Sequence, residues 1–261
     1  MATLNIYTLN TAEQLDLFLT QDGDLDLDYV LDLMNEKIAP ISPDGAISGE
    51  GFINPQFRVR DDLKLIESYC ASQGSLGYFN EARMEDSAFT TRRTQHHYYS
   101  KASLFITEKS DLVLKFDFTT EEGSKSKVKS LIEELGVEAT IFRIDNDLMT
   151  KVQNKFEWSA VKLDKIEKDG DKTKRVSYEI DLADDQSTSQ VDEDYRDYGK
   201  RSHISFELPY SAPGAPNKVS VKMYSQGNRI VIDEDELCNS PLEDFIVYLL
   251  NVLKGLKEEE V

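Results

Sequence analysis

Three short segments near the C-terminus put large apolar residues at every second position: Ile204, Phe206 and Leu208; Val219, Val221 and Met223; Ile230 and Ile232. A repeat of two is the signature of a strand with one buried face, and it is incompatible with a helix over the same residues. The pattern recurs upstream. Leu104 and Ile106, a polar turn at Glu108–Asp111, and then Leu112, Leu114, Phe116 and Phe118 read as a hairpin. Trp158–Ile166 and Arg175–Leu182 flank Asp169-Gly170-Asp171 as a second hairpin, and residues 3–9 read as a further strand. Strands joined by turns instead of helical crossovers call for antiparallel pairing.

Helical periodicity falls between these strands. Val128, Leu131, Ile132 and Leu135 line one helix face that stops at Gly136. After a strand at Ala139–Ile144, Asp145 or Asn146 caps a helix running through Phe156. Ser240-Pro241-Leu242-Glu243 opens a last helix, whose face is Leu242, Phe245, Ile246, Leu249, Leu250 and Leu253 and which ends at Gly255. Thr11 and Gln14 have capping-box spacing before a short helix carrying Leu15, Leu17, Phe18 and Leu19. Asp22–Asp32 reads equally as a strand entering a helix or as one helix. Asp61 and Asp62 are expected to open a helix with Leu63, Ile66, Tyr69 and Cys70 on its apolar side. Residues 75–100 read as irregular or as a short strand at Leu76–Phe79, and the polar stretch 183–201 as an exposed loop or a disordered insert.

The sum is an α+β fold: mainly antiparallel sheet built of hairpins, with amphipathic helices packed on one face. Residues 1–100 form an acidic mixed region and residues 101–261 hold the sheet and the C-terminal helix, an organisation that also fits one continuous domain. The order hairpin then helix occurs at 102–135 and again at 202–255, without a residue-level repeat.

Charge is the other constraint. Of 261 residues 49 are acidic and 30 basic, a formal net charge of −19, and the excess is uneven: residues 1–57 and 181–261 each carry −9. Carboxylates at both ends repel a phosphate backbone and suit a basic partner. The expectation is therefore a non-catalytic interaction protein, an adaptor, inhibitor or subunit, that presents acidic surface to a basic protein partner; its sharpest form is a protein imitating the charge of nucleic acid, with a partner that itself binds nucleic acid. Asp22, Asp24, Asp26, Asp28, Asp184, Asp185, Asp192, Glu193 and Asp194 are its candidate acidic residues. No apolar run approaches 18 residues and the N-terminus lacks a basic-then-apolar layout, so a cytoplasmic protein that makes no membrane contact is expected. Two cysteines, Cys70 and Cys238, exclude a disulfide framework and read as small buried hydrophobes.

A second reading rests on Arg92, Arg93, His96, His97, Tyr98, Tyr99 and Lys101, within a stretch free of acids from Ser87 to Thr107. Guanidinium groups bind phosphate bidentately and aromatic rings stack on unpaired bases, so this cluster is the candidate anion or single-strand contact. On a strand His96 and His97 would point to opposite faces, and His203 lies on the polar side of a strand start. A third reading, a metal-dependent phosphodiesterase, draws on Asp111, Asp117, Asp233 and Asp235. Lys115 precedes Asp117 by two residues, the reverse of the nuclease order, and a calcium loop starting at Asp22 would have Leu27 where it needs glycine and Leu33 where it needs glutamate. With no phosphate-binding glycine loop, no dinucleotide fingerprint and no Cys-x-x-Cys, no cofactor is expected.

Overall fold

The last three strands form as their alternation predicts: β9 (Lys200–Pro209), β10 (Lys218–Tyr224) and β11 (Arg229–Ile232), in the numbering of the eleven strands in chain order. The computed structural model of the chain describes residues 1–10, 18–60, 62–118, 121–181, 189–214 and 217–259. The Thr11–Gln14 capping box, Asp184 and Asp185 lie outside the described residues. The fold is α+β, with eleven strands that are antiparallel wherever their register is defined. No helix among the described residues is long and apolar enough to cross a membrane.

The chain clusters into two compact units. The first comprises Met1–Tyr7, Arg60–Asp62 and Ile141–Val261. In it the start of β1 (Ala2–Asn10) pairs with β11, and β10, β9, β7 (Glu157–Asp164) and β8 (Arg175–Glu179) follow in order. One face of this sheet carries Val161, Ile204, Phe206, Val221, Met223 and Ile230, all fully buried. α3 (Asn146–Lys155) packs on β9 and against α5 (Leu242–Glu258), and both helices contribute fully buried side chains such as Leu148, Phe245 and Leu253. Asp145 caps α3, accepting from the Leu148 amide at 3.0 Å. Two helix-end expectations need correction. Ser240 makes no cap: Pro241 is the N-cap, and the Ser240 hydroxyl hydrogen-bonds the Tyr210 hydroxyl at 3.1 Å. α5 also runs through Gly255 to Glu258, because Leu256 continues its buried face.

Of the polar stretch 183–201 the described part, from Ser189 on, is not simply exposed. α4 (Gln190–Tyr195) is capped by the Ser189 hydroxyl, and Asp192 on it is only 6% exposed. Tyr195 anchors the far end of α4 by donating its hydroxyl to Asp171 at 2.7 Å, while the Thr173 amide donates to the same carboxylate at 2.8 Å. These bonds, the Tyr195 hydroxyl first, hold the Asp171 carboxyl at about 2, below its ordinary 3.8. A depressed carboxyl stabilises the fold above its unfolded value and loses that contribution as pH falls through its folded value. Amide exchange in α4 should therefore accelerate between about pH 4 and pH 2. Tyr195→Phe should raise the Asp171 midpoint measured by NMR; an unmoved midpoint would contradict the anchor.

The second unit comprises Thr8–Val59 and Leu63–Thr140. It holds α1 (Leu27–Glu36), β2 (Gly51–Arg60), β3 (Leu63–Glu85), β4 (Ala88–Thr107), β5 (Asp111–Phe116), α2 (Lys125–Glu133) and most of β6 (Glu138–Ile141). Asp22–Asp32 resolves into a bridge between Leu19 and Leu25, followed by α1 with Asp26 as its N-cap, accepting from the Tyr29 amide at 3.1 Å.

One expectation fails here and another is extended. The helix expected from Asp61, which lies outside the described residues, does not form: from Leu63 onward the chain is β3, paired with β4 from Leu65↔Thr107. Ile66, Ser68, Cys70 and Ser72 form its buried face, and the two serines conceal the apolar alternation that would have marked a strand. The Ser68 hydroxyl donates to the Ile53 and Tyr69 carbonyls, which is how a polar side chain is tolerated there. Residues 75–100 are not irregular: the alternative, a strand at Leu76–Phe79, holds, but as part of a much longer hairpin of 23- and 20-residue strands. The cysteines separate: Cys70 is buried on β3 and burial pushes its thiol up to about 12, whereas Cys238 is exposed, at φ 55°.

Candidate interaction surface

Toward its tip the β3–β4 hairpin leaves its partners: β5 pairs with β4 only from Ser103 to Ile106, and on the β3 edge, next to β2, the Gln73 amide donates to the Glu50 carboxylate, just ahead of the start of β2. From Gly74↔Tyr98 to Glu85↔Ala88 it runs as a two-stranded ribbon, about 35 Å at the usual rise per residue. Asp86 and Ser87 close it with φ of 47° and 66°, the paired positive values of a type I′ turn. A bulge at Leu76 shifts the register between Ser75 and Gly77. The Tyr98 ring lies across Gly74, where any Cβ would overlap it.

Residues opposite one another share a face. One face carries Met84 opposite Phe89, Ala82 opposite Thr91, Asn80 opposite Arg93 and Tyr78 opposite Gln95. The other carries Arg83 opposite Thr90, Glu81 opposite Arg92, Phe79 opposite Thr94 and Gly77 opposite His96. Neither face is covered: Phe89 is 73% exposed, Met84 68%, Tyr78 58% and Phe79 54%. The ribbon thus displays large apolar side chains on both sides, where a hairpin serving only as a loop would display polar ones.

The seven residues of the basic cluster all lie on β4, but the pleat divides them. Arg93, His97, Tyr99 and Lys101 share one face; Arg92, His96 and Tyr98 share the other. Arg93 lies over the Tyr78 ring at 4.9 Å, and His96 meets Phe79 edge-on with its Nε2 3.3 Å from Glu81. Gln73 donates its side-chain amide to the Tyr99 hydroxyl at 3.2 Å. Lys101 belongs to the base of the hairpin, paired with Asp117. Arg92 makes no ion pair among the described residues and is exposed.

The acidic run is also placed. Asp22, Asp24, Asp26 and Asp28 join Glu108, Lys64 and Phe57 around a concavity of about 210 Å³. Leu25 and Leu27 turn inward, so the alternation with leucine separates an acidic surface from buried residues. Lys109 grips the Asp24 carboxylate at 2.7 and 2.9 Å, and Asp26 serves its helix.

Asp192 has a different role from the surface acid expected of it. Gln153 donates to it at 2.8 Å, the Tyr178 hydroxyl donates to it, and Arg196 lies 3.5 Å away. Arg201, 5% exposed, donates to Gln153 and, at 3.0 Å, to Thr150. Burial first, then the Asp192 bond, pushes the Tyr178 hydroxyl well above its ordinary value. Glu193 is exposed, and Asp194 takes Lys168 at 3.6 Å.

The metal candidates are not brought together. Asp111 is buried in the β4–β5 turn against Thr107, while Asp117, beyond the far end of β5, pairs with Lys101 and Lys115. Those lysines, Lys101 first, hold the Asp117 carboxyl below its usual range. Asp233 accepts from the Asp235 amide and so starts the short 3₁₀ turn Glu234–Leu237, ahead of the last helix and separate from it. Among the described residues no three His, Cys, Asp or Glu side chains cluster to hold a metal.

Sequence reasoning singled out β4 and missed Tyr78, Phe79, Met84 and Phe89, which carry no pattern. Compared with known proteins, the chain matches no family model and no curated protein.

Proposed function

We propose that this chain is a non-catalytic interaction protein that grips a basic protein partner, using the β3–β4 hairpin as its apolar arm and the carboxylate-rich surface as its electrostatic guide. One observation carries the reading: a ribbon with solvent on both faces exposes Phe89 and Met84 opposite one another beside its turn. Two-stranded ribbons gain little stability alone, and apolar area of this kind is normally covered by a partner. The net charge of −19 and the acid-lined concavity favour a cationic partner and penalise an anionic one.

The test is retention of proteins from the native host by the wild-type chain and by a Met84→Asp, Phe89→Asp variant. The expected result is a basic protein retained at low salt, released as salt rises, and held at least tenfold less well by the variant. Retention indifferent to both changes would overturn the reading. The acid-free β4, with Arg92 in no ion pair among the described residues, favours contact with single-stranded nucleic acid as the second reading. It requires that Arg92→Ala, Arg93→Ala lower strand affinity and flatten its salt dependence while the apolar variant does neither.

A further inference from the structure

The sheet of the first unit has a polar face opposite its apolar one, and its side chains fall into two adjacent rows. The first row runs Ser177, Lys162, His203, Tyr224, Arg229 across β8, β7, β9, β10 and β11, each registered opposite the next. The second runs Glu179, Ala160, Ser205, Lys222, Val231 across the same strands. Directly registered residues have Cβ atoms about 5 Å apart, so Lys162, Lys222, Arg229, His203 and Ser205 form one cluster.

The aromatic members stiffen it. The His203 and Tyr224 rings stack at 4.5 Å and 26°, and the Arg229 guanidinium sits 4.6 Å from the Tyr224 ring. Ser205, 5% exposed, lies with its hydroxyl 3.2 Å from His203 Nε2. The lysines are half-buried, and among the described residues neither Lys162 nor Lys222 makes an ion pair. Lys218, farther along β10, pairs with Glu157. Glu179 is the one carboxylate in the two rows. Other acids flank the two rows on both sides: Asp164, two residues along β7 from Lys162, pairs with Arg175, and beyond the second row burial and the neighbouring Glu236 raise the Glu207 carboxyl. Burial, then Lys222, Lys162 and Arg229, hold the His203 imidazole below its ordinary value. Like charges half out of water repel one another, and a doubly charged oxyanion lying among them removes that cost.

We propose that this face is a phosphate-binding site, with Lys162, Lys222 and Arg229 supplying charge and the Ser205 hydroxyl and His203 ring supplying hydrogen bonds. The group recognised is a phosphate, on a small molecule or on a nucleic-acid strand. The site lies in a different unit from the hairpin, and neither proposal requires the other.

The test follows the His203 ring protons by NMR during titration with inorganic phosphate, with adenosine monophosphate and with a short thymidine oligonucleotide, each against chloride at matched ionic strength. The expected result is a saturable shift and an upward move of the His203 midpoint, since a bound anion favours imidazolium despite Lys162, Lys222 and Arg229 around it. Lys222→Ala and Lys162→Ala should each weaken binding about tenfold, the loss of one charge-assisted hydrogen bond, and Lys222→Arg should restore it. A mononucleotide that outcompetes the oligonucleotide per phosphate assigns the site to a small molecule; the opposite order assigns it to a strand. An identical response to chloride, or Lys222→Ala binding as well as wild type with an unchanged amide spectrum, would overturn the proposal.

Discussion

Asp192→Ala is expected to lower unfolding stability by about 3 kcal/mol, the cost of breaking a buried, hydrogen-bonded charge network. Gln153 and the Tyr178 hydroxyl lose their acceptor, and Arg201, almost wholly buried, loses one of the two carboxylates, Asp192 and Asp197, that favour its charged form. The network spans α3, β8, α4 and β9, so the loss should loosen the docking of α4 as well as lower the global midpoint. Asp192→Asn keeps an acceptor oxygen and should lose less than half as much. Urea unfolding reads both, with an unchanged slope as the sign that the unfolded state is unaltered. A loss under about 1 kcal/mol for the alanine variant would place Asp192 on the surface energetically, as its sequence context suggests.

Gly51→Ala should be comparably severe in the second unit. Gly51 has φ 148°, a region that side chains rarely enter, and an added Cβ would lie 2.5 Å from the Lys37 carbonyl oxygen and 2.7 Å from the Ala39 nitrogen. Both obstacles are backbone, held by the Ala39 amide donating to Phe52 at 2.8 Å and the Phe52 amide donating to Lys37 at 2.9 Å. Relief therefore requires breaking these bonds or moving Phe52, which is fully buried. A loss of about 3 kcal/mol is expected, against about 1 kcal/mol or less for a glycine change free of strain. Gly45→Ala, at φ 86° in open space, isolates the backbone term. Equal losses at the two positions would show that the contact with residues 37–39 contributes nothing.

How legible these features were depends on what each segment buries. β9, β10 and β11 were readable because one face packs beneath helices and the other meets water, which writes a period of two into the chain. α2 and α3 were readable for the matching reason at 3.6 residues per turn, and Asp145 announced its cap. The arm was illegible because neither of its faces is buried: Tyr78, Phe79, Met84 and Phe89 follow no period, and Glu85-Asp86-Ser87-Ala88 lacks the asparagine–glycine signal of a tight turn. Ser68 and Ser72 misled in another way, as polar residues at buried strand positions, the first bonded to neighbouring backbone carbonyls and the second without a hydrogen-bond partner among the described residues. Of the candidate residues, the β4 cluster was visible as a gap in the acidic charge. That the pleat splits it, and that Asp192 is buried, depends on partners distant in sequence.

The most direct measurement places a photo-reactive amino acid at Phe89 and, as a control, at the equally exposed Met1, and identifies what each captures in the native host. One basic protein is expected joined to position 89, absent from the control and lost above moderate salt. Nucleic acid at that position, or the same scattered products from both sites, would contradict it.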